Sequence, residues 1–182
     1  MTATESRREA APLHIRRLDE SDFERLVALE RDAFSHPWSP ELLRRELTHT
    51  WSTILVAEAV SSQPLPKPRP EPLPEPLPKP LPKPLIGALI YWRVHDEMHI
   101  LNVAVAQAAR RQGIATQLIE RGLEAARASG CVLATLEVRR SNVAAVSLYQ
   151  RFGFRTVGSR PNYYVDERED ALVMTLDFPK LT

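Results

Sequence analysis

Apolar positions along the chain fall into two alternating rhythms, one of period two and one close to 3.6. Residues 13–18 form an extended run. Ser21-Asp22-Phe23-Glu24 then has the S-x-x-E spacing of a capping box and predicts a helix with Phe23, Leu26, Val27 and Phe34 on one side. A second helix is expected with Ser39 as N-cap, Pro40 as its first residue, and Leu42, Leu43 and Leu47 as apolar surface. Residues 53–60, 85–94 and 98–105 are rich in β-branched and aromatic side chains and read as strands. From 111 to about 128 the pattern is helical, with Ile114, Leu118, Ile119 and Gly122 on one face and Gly130 as terminator. A strand over 132–138, a helix over 142–152 closed by Gly153, and strands near 154–158 and 171–178 complete the order. The alternation predicts an α/β domain built on a mixed sheet.

The rhythm is interrupted between the second and third predicted strands, where residues 64–84 carry a proline at every second position. Such a segment lacks every other backbone donor and favours polyproline II, about 3.1 Å per residue or roughly 65 Å if straight. It cannot be core. Its flanking strands read as antiparallel neighbours, whose ends sit about 5 Å apart, so the tract must double back or those strands must fray. Every proline of the tract is even-numbered, so P-x-x-P does not occur within it, and a solvated insertion is the expectation. Residues 1–11 read as a loose tail and 12–182 as one domain.

Totals narrow the function without naming it. A formal charge of +1 over 182 residues shows no bulk excess that would call for nucleic acid or an anionic membrane, so neither is expected as a partner. The single cysteine, Cys131, lies in an apolar run and reads as a buried thiol, which suggests a reducing cytosol. No signal-peptide core and no run of roughly 20 apolar residues is found, so a soluble, cytoplasmic protein is expected, here taken as a monomer.

Candidate chemistry begins where the 98–105 strand passes into Arg110-Arg111-Gln112-Gly113-Ile114-Ala115-Thr116 and a helix. A helix start offers unpaired N–H groups and partial positive charge, which suits a phosphate. Gly113 and Ala115 leave space for it, and the two arginines add charge; an ordinary basic helix start with a turn glycine is the alternative. Neither G-x-x-x-x-G-K-[ST] nor G-x-G-x-x-G occurs. Further on, strand alternation puts Glu137 on the face opposite Leu136 and Val138. A carboxylate in that apolar neighbourhood would be desolvated and its pKa raised toward neutrality, unless it is exposed or paired with Arg139 or Arg140. Asn142 and Tyr149 stand two helical turns apart and can line one slot; a helix cap and a core ring are their plainer readings.

The run Arg110-x-x-Gly113-x-Ala115 after a Val-Ala-Val strand resembles the acyl-CoA pyrophosphate loop of the Gcn5-related N-acetyltransferase (GNAT) superfamily. Leu136-Glu137-Val138-Arg139-x-Ser141-Asn142 with Leu148-Tyr149-x-x-x-Gly153-Phe154 resembles one branch of it, the RimI-type ribosomal-protein-alanine N-acetyltransferases. His36-Pro37-Trp38-Ser39, Asn102-Val103-Ala104-Val105, Asn162-Tyr163-Tyr164 and Arg168-Glu169-Asp170-Ala171 extend the likeness from Leu13 to Leu176, outside the proline tract.

The resemblance implies a mostly antiparallel mixed sheet with helices on both faces, acetyl-CoA as co-substrate, and direct transfer without a metal or a nucleophilic cysteine. It implies that Val103, Ala104 and Val105 hold the pantetheine arm and polarise the acetyl carbonyl. Arg111, Gln112, Gly113, Ile114, Ala115 and Thr116 would hold the pyrophosphate, and Asn142 would contact the cofactor. Glu137 would take the amine proton, and Tyr149 would protonate the departing thiolate. Trp38 and residues 162–170 would flank the acceptor, the N-terminus of a small-subunit ribosomal protein. The acidic side chains Asp166, Glu167, Glu169 and Asp170 would attract a basic peptide, or form only a solvated loop. Other protein N-termini, lysines or small amines are the alternative acceptors, and a non-catalytic acyl-CoA-binding or proline-tract module is the competing class.

Overall fold

The computed structural model describes residues 13–59 and 83–179. The expected tail and residues 64–82 of the expected insertion lie outside the described residues. The strands are β1 (Leu13–Arg17), β2 (Ser52–Ala59), β3 (Gly87–Val94), β4 (Glu97–Val105), β5 (Leu133–Arg139), β6 (Arg155–Tyr164) and β7 (Glu169–Asp177); the helices are α1 (Phe23–Ala33), α2 (Pro40–Thr48), α3 (Ile114–Ala128) and α4 (Val143–Arg151). The strands form one sheet in the order β1-β2-β3-β4-β5-β7-β6. Every neighbouring pair is antiparallel except β4 and β5.

Alternation along the central strands divides the core into two layers. In β2, Ile54 and Val56 pack with α1 and α2, while Leu55 and Ala57 pack with α3 on the other face. Helices thus cover both faces, as the resemblance implied. The first turn of α3 comes close to the sheet: a Cβ on Gly87 would lie 2.7 Å from Ile114 Cγ2. The α2 start is as expected, with Ser39 Oγ accepting the Leu42 N–H at 3.2 Å and Pro40 in the first turn. The α1 start is not. The capping box is formed by Asp19 and Asp22 around a short 3-10 turn, so Ser21 and Glu24 do not form the predicted pair. Asp19 Oδ1 receives the Ser21 N–H at 3.0 Å, and Asp22 Oδ2 receives that of Asp19 at 3.0 Å.

Asp22 also belongs to an ionic cluster at the root of the proline-rich insertion. Arg16 bonds Asp22 at 2.5 Å and Glu58 at 2.8 Å. Arg25 bonds Asp22 at 2.6 Å and Glu58 at 2.7 Å, and also donates to the Lys83 carbonyl. The hydrogen bond from Arg16 holds the Asp22 carboxyl down at about 2. Glu58 precedes the tract and Lys83 is its penultimate residue, so Arg25 ties its two ends together. The Ile86 N–H donates to Ala57 O at 2.9 Å, and the flanking strands do not fray at these residues.

The feature that positions the site is the junction of β4 and β5. Their pairing runs only from Glu97↔Leu133 to Ile100↔Leu136. Beyond it the strands part, while each keeps its outer neighbour: β4 stays paired with β3 as far as Val105, and β5 with β7 as far as Arg139. A β-bulge sits at the parting point. Ile90 opposes Asn102 and Tyr91 opposes Ile100, which leaves Leu101 without a partner.

Candidate active site

Because β4 and β5 separate after Ile100 and Leu136, the inner edges of residues 101–105 and 137–139 have no ladder partner in each other. Backbone N–H and C=O groups are obligatory hydrogen-bonding groups, so this wedge is lined with available donors and acceptors. Val103 and Val105 pack toward the α3 layer and Ala104 toward α1 and α2, so what this edge presents toward β5 is backbone.

At the end of β4 the chain turns through residues 106–113 into α3. Gly113 takes φ 80 as the N-cap of α3 with no side-chain cap, and the helix starts at Ile114, three residues later than predicted. A left-handed residue is needed here, and glycine adopts it without a Cβ penalty. The Gln117 N–H bonds Gly113 O at 3.1 Å, so the N–H groups of Ile114, Ala115 and Thr116 precede the first helical bond. These are the donors a pyrophosphate would take. The two arginines have different tasks: Arg110 Nη2 bonds the Ala33 carbonyl at 2.6 Å and fastens the loop to α1, whereas Arg111 stays exposed at φ 65. Gln112 bonds the Ala108 carbonyl at 3.3 Å. A further cation arrives from α4, where Arg151 Nη2 bonds Thr116 Oγ1 at 3.4 Å. Sequence reading missed Arg151, because nothing local reveals which loop the last turn of α4 meets.

Glu137 lies on β5 just past the parting point. Leu136 and Val138 are buried and Glu137 faces the other way, as alternation required. Its environment differs from the expected one. The side chain is 26% exposed and pairs with Arg160 of β6 at 3.1 Å, not with Arg139 or Arg140. Arg139 instead binds Asp166 at 2.6 Å, Glu167 at 3.1 Å and Glu169 at 3.3 Å, and its guanidinium lies 4.1 Å from the Tyr164 ring centre. Arg140 reaches Asp170 at 3.4 Å. Much of the acidic charge is thereby neutralised within the chain. The segment 162–170 is also no open loop: Asn162, Tyr163 and Tyr164 end β6, Glu169 and Asp170 begin β7, and only 165–168 turn.

Tyr149 is buried on α4, edge-on to Phe154 at 5.7 Å. Burial, with a smaller effect from Tyr164, raises its phenol above the ordinary value, so it carries its proton across the neutral range. Tyr164 is half-buried; its hydroxyl lies 3.5 Å from the Glu137 carbonyl. Asn142 is the N-cap of α4: its Oδ1 accepts the Ala145 N–H at 3.1 Å, leaving the amide nitrogen for other contacts. Trp38 packs against the α1/α2 layer, and its backbone N–H donates to Glu30 Oε1 at 3.1 Å. Cys131 is buried, and burial pushes its thiol up, as a packing residue requires. A depression of about 620 Å³ bounded by Arg17, Trp51, Arg93 and Arg121 lies at the far end of α3, remote from this wedge.

The β4–α3–β5 segment is thus a parallel strand–helix–strand unit whose strands part beneath a glycine-capped helix start, with a carboxylate on the rim of β5. The family model described as Acetyltransferase (GNAT) family matches residues 23–154, and the chain belongs to that family. Among curated relatives, the [ribosomal protein bS18]-alanine N-acetyltransferase of Escherichia coli strain K12 is 41% identical over 85 residues, 46% of this chain and 57% of that enzyme. The match thus spans little more than half of that relative's length. A putative enzyme of the same description from Bacillus subtilis is 28% identical over 161 residues, 88% of this chain and 92% of its own. The crystal structure of the ribosomal-protein-S18-alanine N-acetyltransferase from Escherichia coli superposes with a TM-score of 0.75 at 25% identity, covering 94% of this chain and 97% of that one.

Proposed function

We propose that this chain is an acetyl-CoA-dependent N-acetyltransferase acting on the α-amino group of an N-terminal alanine, with the ribosomal protein bS18 as acceptor. The observation that carries the reading is the parting of β4 from β5 with Glu137 on its rim, in a chain similar over nearly its whole length to a structure of that description. Acetyl-CoA would supply an acetyl thioester. The Ile114, Ala115 and Thr116 N–H groups with Arg111, Gln112 and Gly113 would hold its pyrophosphate. The free edge of Val103, Ala104 and Val105 would take the pantetheine amides and donate to the acetyl oxygen as negative charge develops there. The Asn142 amide nitrogen would add a cofactor contact.

Glu137 then accepts a proton from the attacking amine, directly or through water, as the N–C bond forms. Tyr149 donates its proton to the sulfur as the C–S bond breaks, a task suited to a phenol that burial keeps protonated. In this reading residues 12–182 are one domain, the enzyme is a cytoplasmic monomer without metal or nucleic acid, and 64–84 is not needed for chemistry. Deleting residues 64–82 is expected to leave turnover and melting temperature nearly unchanged, because Arg25 closes the root of the insertion.

The deciding experiment incubates the protein with labelled acetyl-CoA and a peptide carrying the bS18 N-terminus, beside peptides with other N-termini and with internal lysines, and maps the label by mass spectrometry. Label on the α-amino group of the alanine peptide is expected. Label on lysine or a small amine alone would replace the acceptor, and no transfer to any amine would remove the enzymatic reading.

A further inference from the structure

Glu30 is a buried charge-bearing residue that the proposed transfer does not use. It is 1% exposed in the middle of the contact between α1 and β4. Its Oε1 accepts the Trp38 N–H at 3.1 Å and Asn102 Nδ2 at 3.0 Å. Its Oε2 and the Oδ1 of Asn102 are both buried without a hydrogen-bond partner among the described residues. Both atoms are acceptors in the ionised form, and no charged side chain is among the groups acting on the carboxyl. The charged groups of the surrounding elements are engaged elsewhere: Arg110 on the Ala33 carbonyl, Asp32 on the Gln107 N–H at 2.7 Å, His36 against Asp166 at 3.4 Å, and Glu46 on the Trp92 indole at 2.6 Å.

An isolated carboxylate at that depth is strongly disfavoured, and one proton removes the charge and converts the orphan oxygen into a donor. Burial raises this carboxyl above its ordinary value, in the same direction. The three segments that meet at Glu30 are α1, the Trp38 loop and the bulge of β4. Asn102 stands between the unpartnered Leu101 and the free edge at Val103.

We infer that Glu30 is a neutral carboxylic acid and a positioning residue, which fixes the Trp38 loop on the acceptor side to the β4 edge on the acyl side. Its relevance to catalysis rests on the proposed function; its protonation does not. Glu30→Gln keeps a neutral group with one acceptor and one donor, while Glu30→Ala removes both. In Glu30→Ala the acceptor KM is expected to rise about tenfold and kcat to fall, with acetyl-CoA affinity within about twofold of the parent, since one hydrogen-bonded anchor is lost. Glu30→Gln is expected to restore both constants. Carboxyl-¹³C NMR of glutamate-labelled protein should show one protonated carboxyl at neutral pH that is missing in Glu30→Gln. That readout needs no activity, so it stands even if Glu137→Gln or the acceptor assay removes the transferase reading. An ionised Glu30 resonance, a Glu30→Gln protein as impaired as Glu30→Ala, or unchanged KM and kcat in folded Glu30→Ala would each overturn the inference.

Discussion

Two carboxylates stand beside the parting strands, Glu137 on β5 and Glu30 packed against β4, and they solve opposite problems. Glu137 stands 26% exposed with the Arg160 guanidinium at 3.1 Å, so its charge is solvated and paired. Glu30 stands 1% exposed with amide partners only. Local sequence leaves Glu137, which sits between apolar neighbours on a strand, open to a desolvated role or to an exposed or paired one. The fold gives the desolvated role to Glu30, which occupies a helix among charged residues. Strand alternation says which way a side chain points, but the depth of what it points into is set by elements far away in the chain. A proton-transfer group that must meet an incoming amine needs access, and access excludes the environment that surrounds Glu30.

Glu137→Gln is expected to lower kcat by about 10²–10⁴ while leaving melting temperature and acetyl-CoA affinity nearly unchanged. Tyr149→Phe should slow turnover by a smaller factor, because water can protonate a thiolate more readily than a carboxamide can accept a proton. Steady-state kinetics with labelled acetyl-CoA measures both, and an unchanged kcat in both variants removes the proposed base and acid.

The next effect concerns stability. In the unfolded chain Glu30 titrates near 4.5, and burial raises it in the fold. Below that value both states are protonated and no penalty exists. As pH rises through it, the unfolded chain loses its proton while the folded one keeps it, so wild-type stability falls until the folded value is passed. Glu30→Gln has no such titration, and its melting temperature relative to wild type should climb as pH rises above about 4.5. A difference that stays flat with pH would mean that the Glu30 carboxyl is not raised in the fold. The smallest effect belongs to Arg160→Ala. An ion pair with an arginine 59% exposed contributes little, so kcat should change by less than about fivefold, and the change should shrink with added salt.

The order of strands and helices was legible because the apolar repeats of α1, α2 and α3 and the β-rich runs of β2 to β5 are strong local signals. The cap at Ser39 was legible because a single residue specifies it, whereas α3 was expected from Arg111 and starts only after Gly113. Long-range pairing was not. Glu30 and Asn102 are 72 positions apart, and neither carries a mark that names the other. The extension of β6 through Tyr164 also escaped, since residues 155–163 are exposed throughout and owe their conformation to β7, with Asn162 at φ 52 breaking any simple alternation. At Glu137 the carboxylate and its strand were readable, but its partner came from a hairpin whose register no local pattern encodes.

The parted strands also bear on how long the protein survives. Hydrogen bonds that an unbroken sheet would supply to residues 101–105 are left to solvent or to a ligand, so the ligand becomes part of the fold's own thermodynamics. A ligand at about a hundred times its dissociation constant adds about 2.7 kcal/mol to the folded state. A chain whose last ladder is furnished from outside is therefore sturdier in a cell rich in that ligand, and it is the unliganded chain that proteases reach first.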